Sequence, residues 1–107
     1  MKTNLKIRVQ ALGDPTRMAI LERLRRGPLA VGEIARGLPV TRSAVSQHLK
    51  VLKDVGLVRR ERAANRSLYR LDAEGIAGLR DYFERFWQES LQAFKQTAER
   101  SRKEQSR

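Results

Sequence analysis

Apolar residues recur at helical spacing through most of this chain and gather into two short runs around a turn in one stretch. The sharpest pattern spans Thr41 to Leu57. On a helix, Ala44, Val45, His48, Leu49, Leu52 and Val55 fall on one arc. Arg42, Ser43, Ser46, Gln47, Lys50 and Lys53 fall on the opposite arc, with no acid near its centre. Upstream, Leu5 to Leu12 predicts a short first helix ended by Gly13. Asp14-Pro15 predicts a second helix start, because aspartate caps free amides and proline is tolerated in the first turn. Ile20, Leu21 and Leu24 form its buried stripe, and Glu22 is expected to pair with Arg26 one turn on. Gly27-Pro28 stops that helix. Val31 to Leu38 predicts a third, with Val31, Ile34, Ala35 and Leu38 inward. Gly37 and Pro39 bracket a turn, and Thr41 or Ser43 caps the fourth helix.

Gly56 closes the fourth helix. Leu57 to Arg62 and Ser67 to Leu71 are short runs about a turn at Ala63-Ala64-Asn65-Arg66, the pattern of a β-hairpin. Arg59, Arg60, Arg62, Arg66 and Arg70 crowd it against one acid, Glu61. Asp72 opens the last and longest helix. Its apolar positions Ile76, Leu79, Tyr82, Phe83, Phe86, Trp87, Leu91 and Phe94 step by three and four residues for about five turns. Gly75 and Gly78 are expected to weaken the start of this helix, so that it bends or frays there. Residues 99–107 contain no apolar residue and are expected to form a basic, polar tail that is frayed or disordered. No repeat or long linker divides the rest, so residues 1–98 read as one domain. The predicted fold is mainly α with a small β-hairpin, in the order α-α-α-α-β-β-α. The third and fourth helices and the hairpin form a winged helix-turn-helix.

Charge sharpens the functional picture. The 107 residues hold 23 Lys and Arg against 12 Asp and Glu, a formal net charge of +11. Such a surplus attracts polyanions. Short hydroxyls, an amide and cations on one helix face are the groups that hydrogen-bond base edges and neutralise phosphates in a major groove. The absence of cysteine removes disulfides, thiolate metal sites and thiol redox sensing. No apolar run approaches the ~20 residues needed to span a bilayer, and the first residues, Met1 to Arg8, are too broken by charge for a signal peptide. Membrane insertion is therefore not expected, and the expected location is the cytoplasm, in contact with nucleic acid.

Ala11 to Leu21, Ser43 to Leu52, Gly56-Leu57-Val58 and Arg66 to Leu71 together resemble the ArsR/SmtB family of winged-helix bacterial repressors, over roughly residues 5 to 95. Phe86-Trp87-Gln88-Glu89-Ser90-Leu91 is similar to the last helix of that family's metal-independent autorepressor subgroup. The resemblance implies a dimer that represses transcription from a palindromic operator near its own or a neighbouring promoter, and an anti-repressor protein as a candidate partner. It also implies a sensing site for metal or oxidant in many members. This chain departs from that pattern: Leu29-Ala30-Val31-Gly32-Glu33 offers no thiolate, and Asp81 and Glu84 have no histidine near them. Transition-metal sensing needs nitrogen or sulfur ligands, and His48 is the only histidine. No metal and no cofactor is expected, and His48 is expected to pack inward and hydrogen-bond a backbone or phosphate group.

These observations assign roles. Ser43, Ser46, Gln47 and Lys50 are expected to face bases, and Thr41, Arg42 and Lys53 to hold phosphates. Arg62, Asn65 and Arg66 at the hairpin tip are expected to reach flanking backbone or minor groove. So long an aromatic stripe exceeds what a small domain can cover. Tyr82, Phe83, Phe86, Trp87, Leu91 and Phe94, joined by Leu5 and Val9, are therefore expected to meet the same stripe on a second copy. Two recognition helices would then enter successive major grooves roughly 34–36 Å apart. Repression would follow by excluding RNA polymerase. A module that docks a different protein through the last helix is the rival reading. Catalysis is the weakest, because the sequence offers no nucleophile-base pair or phosphate-cradling glycine loop.

Overall fold

The computed structural model describes residues 5–105. The first four and last two residues, which include the ends of the expected domain and tail, lie outside the described residues. The elements are α1 (Leu5–Ala11), α2 (Pro15–Leu24), α3 (Val31–Arg36), α4 (Arg42–Asp54), β1 (Val58–Ala63), β2 (Arg66–Leu71) and α5 (Ala73–Gln105). Helix starts follow the local chemistry. The Asp14 carboxylate accepts from the Thr16 and Arg17 backbone N–H groups at 2.8 and 3.1 Å, and Pro15 occupies the first helical position. The Thr41 hydroxyl accepts from the Ala44 N–H at 3.1 Å, and Asp72 accepts from Glu74 and Gly75. Gly56, with φ +83°, takes the chain out of α4.

One core joins the first four helices, the base of the hairpin and the start of α5. Ile20 and Leu24 of α2, Ile34 of α3, Val45, Leu49 and Leu52 of α4, and Leu57 and Val58 meet in it. Each of these large side chains contributes about 1.5–3 kcal/mol through removal from water. Val31, Ala35 and Leu38 pack against the same cluster from α3 and the turn after it. The expected Glu22–Arg26 pair does not form: α2 ends at Leu24, so Arg26 lies outside the helical geometry that would bring it near.

The hairpin is tighter than expected. Strands pair from Val58↔Leu71 to Ala63↔Arg66, leaving only Ala64 and Asn65 as the turn. Two-residue hairpin turns need positive φ, and Ala64 takes it at 55°. A bridge that periodicity does not reveal joins the hairpin to the loop after α2. The Leu29 N–H donates to the Tyr69 carbonyl at 3.0 Å, and the Tyr69 N–H donates back to Leu29 at 2.8 Å.

The start of α5 also departs from expectation. It does not fray at its glycines: the helix runs unbroken from Ala73 to Gln105. Gly75 is buried, and a Cβ there would collide with the Gly56 carbonyl oxygen. Glycine at this position permits close approach of α5 to the turn after α4 rather than loosening the helix. Arg8 reinforces the junction by donating from Nε to the Val55 carbonyl at 2.8 Å, with its guanidinium lying against Gly56 and Gly78. At the other end, α5 continues through residues 99–105, where polarity alone predicts fraying. This stretch is rich in Glu, Arg, Lys and Gln and lacks Gly and Pro, a composition with high helix propensity. The 33 residues of α5 span about 50 Å at the α-helical rise, within a molecule 73 Å long.

Candidate nucleic-acid interface

Helix α4 has two faces because its apolar residues recur every three or four positions. Val45, Leu49 and Leu52 are wholly buried, which fixes the helix's rotation. Thr41, Arg42, Ser43, Ser46, Gln47, Lys50 and Lys53 are all exposed. The rotation therefore leaves the six helical residues of this set, with Thr41 at the cap, open to solvent. Helix α3 packs across α4 through Ile34, completing the helix-turn-helix. Asp54 is the acid at the far end of α4, outside the Ser43–Lys50 centre.

His48 lies half-buried between the two faces. Its Nδ1 accepts from Arg17 Nε at 3.2 Å, so its partner within the chain is a side chain of α2 rather than a backbone group. This contact ties the recognition helix to the helix two elements before it. At the head of α2, Asp14 is held below its ordinary carboxylate value, first by the Arg17 backbone N–H and further by that of Thr16, against partial desolvation.

The hairpin projects beside α3. Arg62 and Asn65 are exposed at or next to its tip. Arg66 opens β2, and its Nη2 donates to Glu33 Oε1 of α3 at 2.5 Å. The same oxygen accepts from the Ala30 N–H at 2.9 Å, and the Glu33 carboxyl is held below its ordinary value chiefly by that backbone bond, with Arg66 and Arg36 adding. The sequence points Arg66 outward to DNA; in this structure it is paired within the chain. Arg60 donates to the Ser67 hydroxyl at 2.7 Å, and Arg70 lies 3.4 Å from Glu61. The arginines of the hairpin are thus partly neutralised by its own acid and by α3.

The stripe on α5 divides. Ile76 and Leu79 pack on the core, and Tyr82 is half-buried with its ring edge-on to Phe83 at 5.5 Å. Phe83, Phe86, Trp87, Leu91 and Phe94 stand in solvent, with Phe94 75% exposed. Leu5 and Val9 do not join that exposed set. Both are half-buried, and Val9 packs against the chain's own core. Ile7, 47% exposed, is the apolar residue α1 turns outward. Its offset of two from Leu5 and Val9, which places it on the opposite side of a helix, is the available signal. Glu33 is the other residue that sequence reasoning misses. Only its position three after Ala30, where a carboxylate can return to the helix start, marks it. Among the described residues no group of three His, Asp or Glu side chains is placed to hold a metal ion, and no helix is long and apolar enough to cross a membrane.

This arrangement has counterparts among known proteins. The helix-turn-helix domain family profile matches residues 12–61. The HTH-type transcriptional regulator Rv2034 of Mycobacterium tuberculosis is 58% identical over 81% of this chain and 81% of its own length. The HTH-type transcriptional repressor SmtB of the same species is 44% identical over 64% of this chain and 51% of its own. Among solved structures, an ArsR-like transcriptional regulator from Rhodococcus sp. RHA1 superposes with a TM-score of 0.73 at 33% identity, covering 88% of this chain and 92% of that one.

Proposed function

Because the chain belongs to the ArsR/SmtB family of helix-turn-helix transcriptional regulators, we propose that it acts as a homodimeric repressor. It reads a palindromic operator in double-stranded DNA, and it does so without a metal-sensing site. Its relatives are DNA-binding transcriptional regulators, and so is this protein. The observation that carries the finer reading is the rotation of α4. Burial of Val45, Leu49 and Leu52 leaves Ser43, Ser46, Gln47 and Lys50 as an acid-free exposed centre, flanked by Thr41, Arg42 and Lys53. These groups match base edges and phosphates, with Gln47 suited to adenine. Arg62 and Asn65 extend the polar, cationic surface along the hairpin.

Dimerisation is supported by the apolar face of α5. Phe83, Phe86, Trp87, Leu91 and Phe94 form a stripe larger than the scattered apolar residues normal for a free surface. An identical stripe related by a two-fold axis would cover it and would present two α4 helices to successive grooves. The absence of cysteine and the engagement of the single histidine by Arg17 support a mechanism without a transition-metal ligand set.

Footprinting on the protein's own genomic DNA tests the reading. The expected result is a protected site with two-fold symmetry; protection without sequence preference would overturn it. On that site, Gln47→Ala should weaken binding by ~1–3 kcal/mol while leaving random-sequence binding nearly unchanged.

A further inference from the structure

We propose that the hollow between α3, the start of α4 and the hairpin seats one backbone phosphate of DNA, and that Glu33 is the internal anion this phosphate displaces. The inference rests on the DNA-binding reading above and assigns Glu33 a role in setting affinity. Ala30, Gly32, Glu33, Arg36, Arg42 and Arg66 line the hollow, so three guanidinium groups surround one carboxylate. Arg42 is the first residue of α4 and adjoins the recognition face. Its guanidinium lies over Gly32, where a Cβ would come within 2.7 Å of Nη2; glycine clears the space it occupies.

Glu33 is fixed from three directions. Its carbonyl accepts from Arg23 Nη2 at 2.9 Å. Its Oε1 accepts from the Ala30 N–H at 2.9 Å and from Arg66 Nη2 at 2.5 Å. A guanidinium binds a carboxylate and a phosphate with the same planar fork, so one can replace the other on Arg66. Arg66 and Glu33 keep 58% and 38% of their side-chain surface exposed, so the exchange needs no unpacking of the core. After the exchange Glu33 keeps its Ala30 partner and α3 keeps its start. DNA binding must therefore break a pre-existing ion pair, and Glu33 lowers affinity through Arg66 specifically.

The test compares the full chain, E33Q, R66A and the double variant by fluorescence anisotropy on a labelled random-sequence duplex across a salt series. Glutamine serves at this helix position as well as glutamate, so E33Q keeps the start of α3 and is expected to lower the thermal midpoint by only the few degrees that the lost ion pair is worth. E33Q should tighten binding about two- to five-fold, the worth of a surface ion pair. R66A should weaken binding and lower the slope of log affinity against log salt by about one. In the R66A background the gain from E33Q should vanish. An equal gain in both backgrounds would overturn the proposal, because Glu33 would then act as a diffuse repulsive charge. Weaker binding by E33Q would also overturn it, because Glu33 would then present Arg66 rather than compete for it. If R66A changes neither affinity nor slope, the hairpin's contact with DNA fails, and the displacement with it; footprinting of the α4-dependent site would remain unaffected.

Discussion

The first two turns of α5 and the rest of that helix have the same apolar periodicity and opposite surroundings. Gly75 and Leu79 are buried and Ile76 packs on the core, whereas no described residue from Tyr82 onward is fully buried. Periodicity alone does not distinguish the two stretches. The distinction comes from what the rest of the chain can offer as a partner. Four short helices and a hairpin cover two turns of α5 and no more. An amphipathic pattern thus states that a face needs covering, and only the count of available partners states whether the cover is internal.

The largest effect expected on this contrast comes from closing the approach at its packed end. Gly75→Val should destabilise the chain by about 3 kcal/mol, because a side chain would collide with the Gly56 carbonyl. Urea unfolding measures this, and a neutral outcome would mean that α5 does not sit against the turn so closely. Next, Leu79→Ala and Leu91→Ala form a matched pair from one helix. At dilutions where the chain is monomeric, the first should cost ~2–3 kcal/mol and the second less than about 0.5. Equal losses would erase the difference between the two stretches. Third, Trp87→Ala should leave monomer stability intact and raise the dimer dissociation constant about thirty-fold, about 2 kcal/mol, in sedimentation equilibrium.

The smallest effect concerns the helix that seats the packed end's neighbours. Asp14 has a folded pKa below its unfolded one, so its cap contributes fully above the unfolded value and is lost as pH falls through the folded one. An asparagine amide caps a helix without titrating. Asp14→Asn should therefore lose less stability than the parent on acidification below about pH 4, followed by circular dichroism.

Local chemistry makes much of the fold legible. Asp14-Pro15, the Ile20, Leu21 and Leu24 stripe, the Thr41 cap and the two faces of α4 all follow from residues within one or two turns of each other. The features that escape join distant positions. Gly75 reads as a weak point because its reason lies at Gly56. Arg66 reads as free because its partner lies 33 residues earlier at Glu33. The inward turn of His48 follows from periodicity, but spacing does not reveal Arg17 as its partner. In the candidate site, periodicity orients the α4 face, because burial of one side settles the other. The hairpin arginines carry no such constraint, and only the three-dimensional arrangement separates the paired Arg66 from the exposed Arg62.

The bridge between Leu29 and Tyr69 gives the hairpin the mechanics of a cantilever. Two backbone bonds clamp its root to the loop after α2, while the segment from Glu61 to Ser67 overhangs with the Arg66 contact as its stay. Any deflection on meeting a curved surface is therefore confined to the outer rungs. The clamped root hands load to α2 through the bridge and to α4 through Val58, which shares its core.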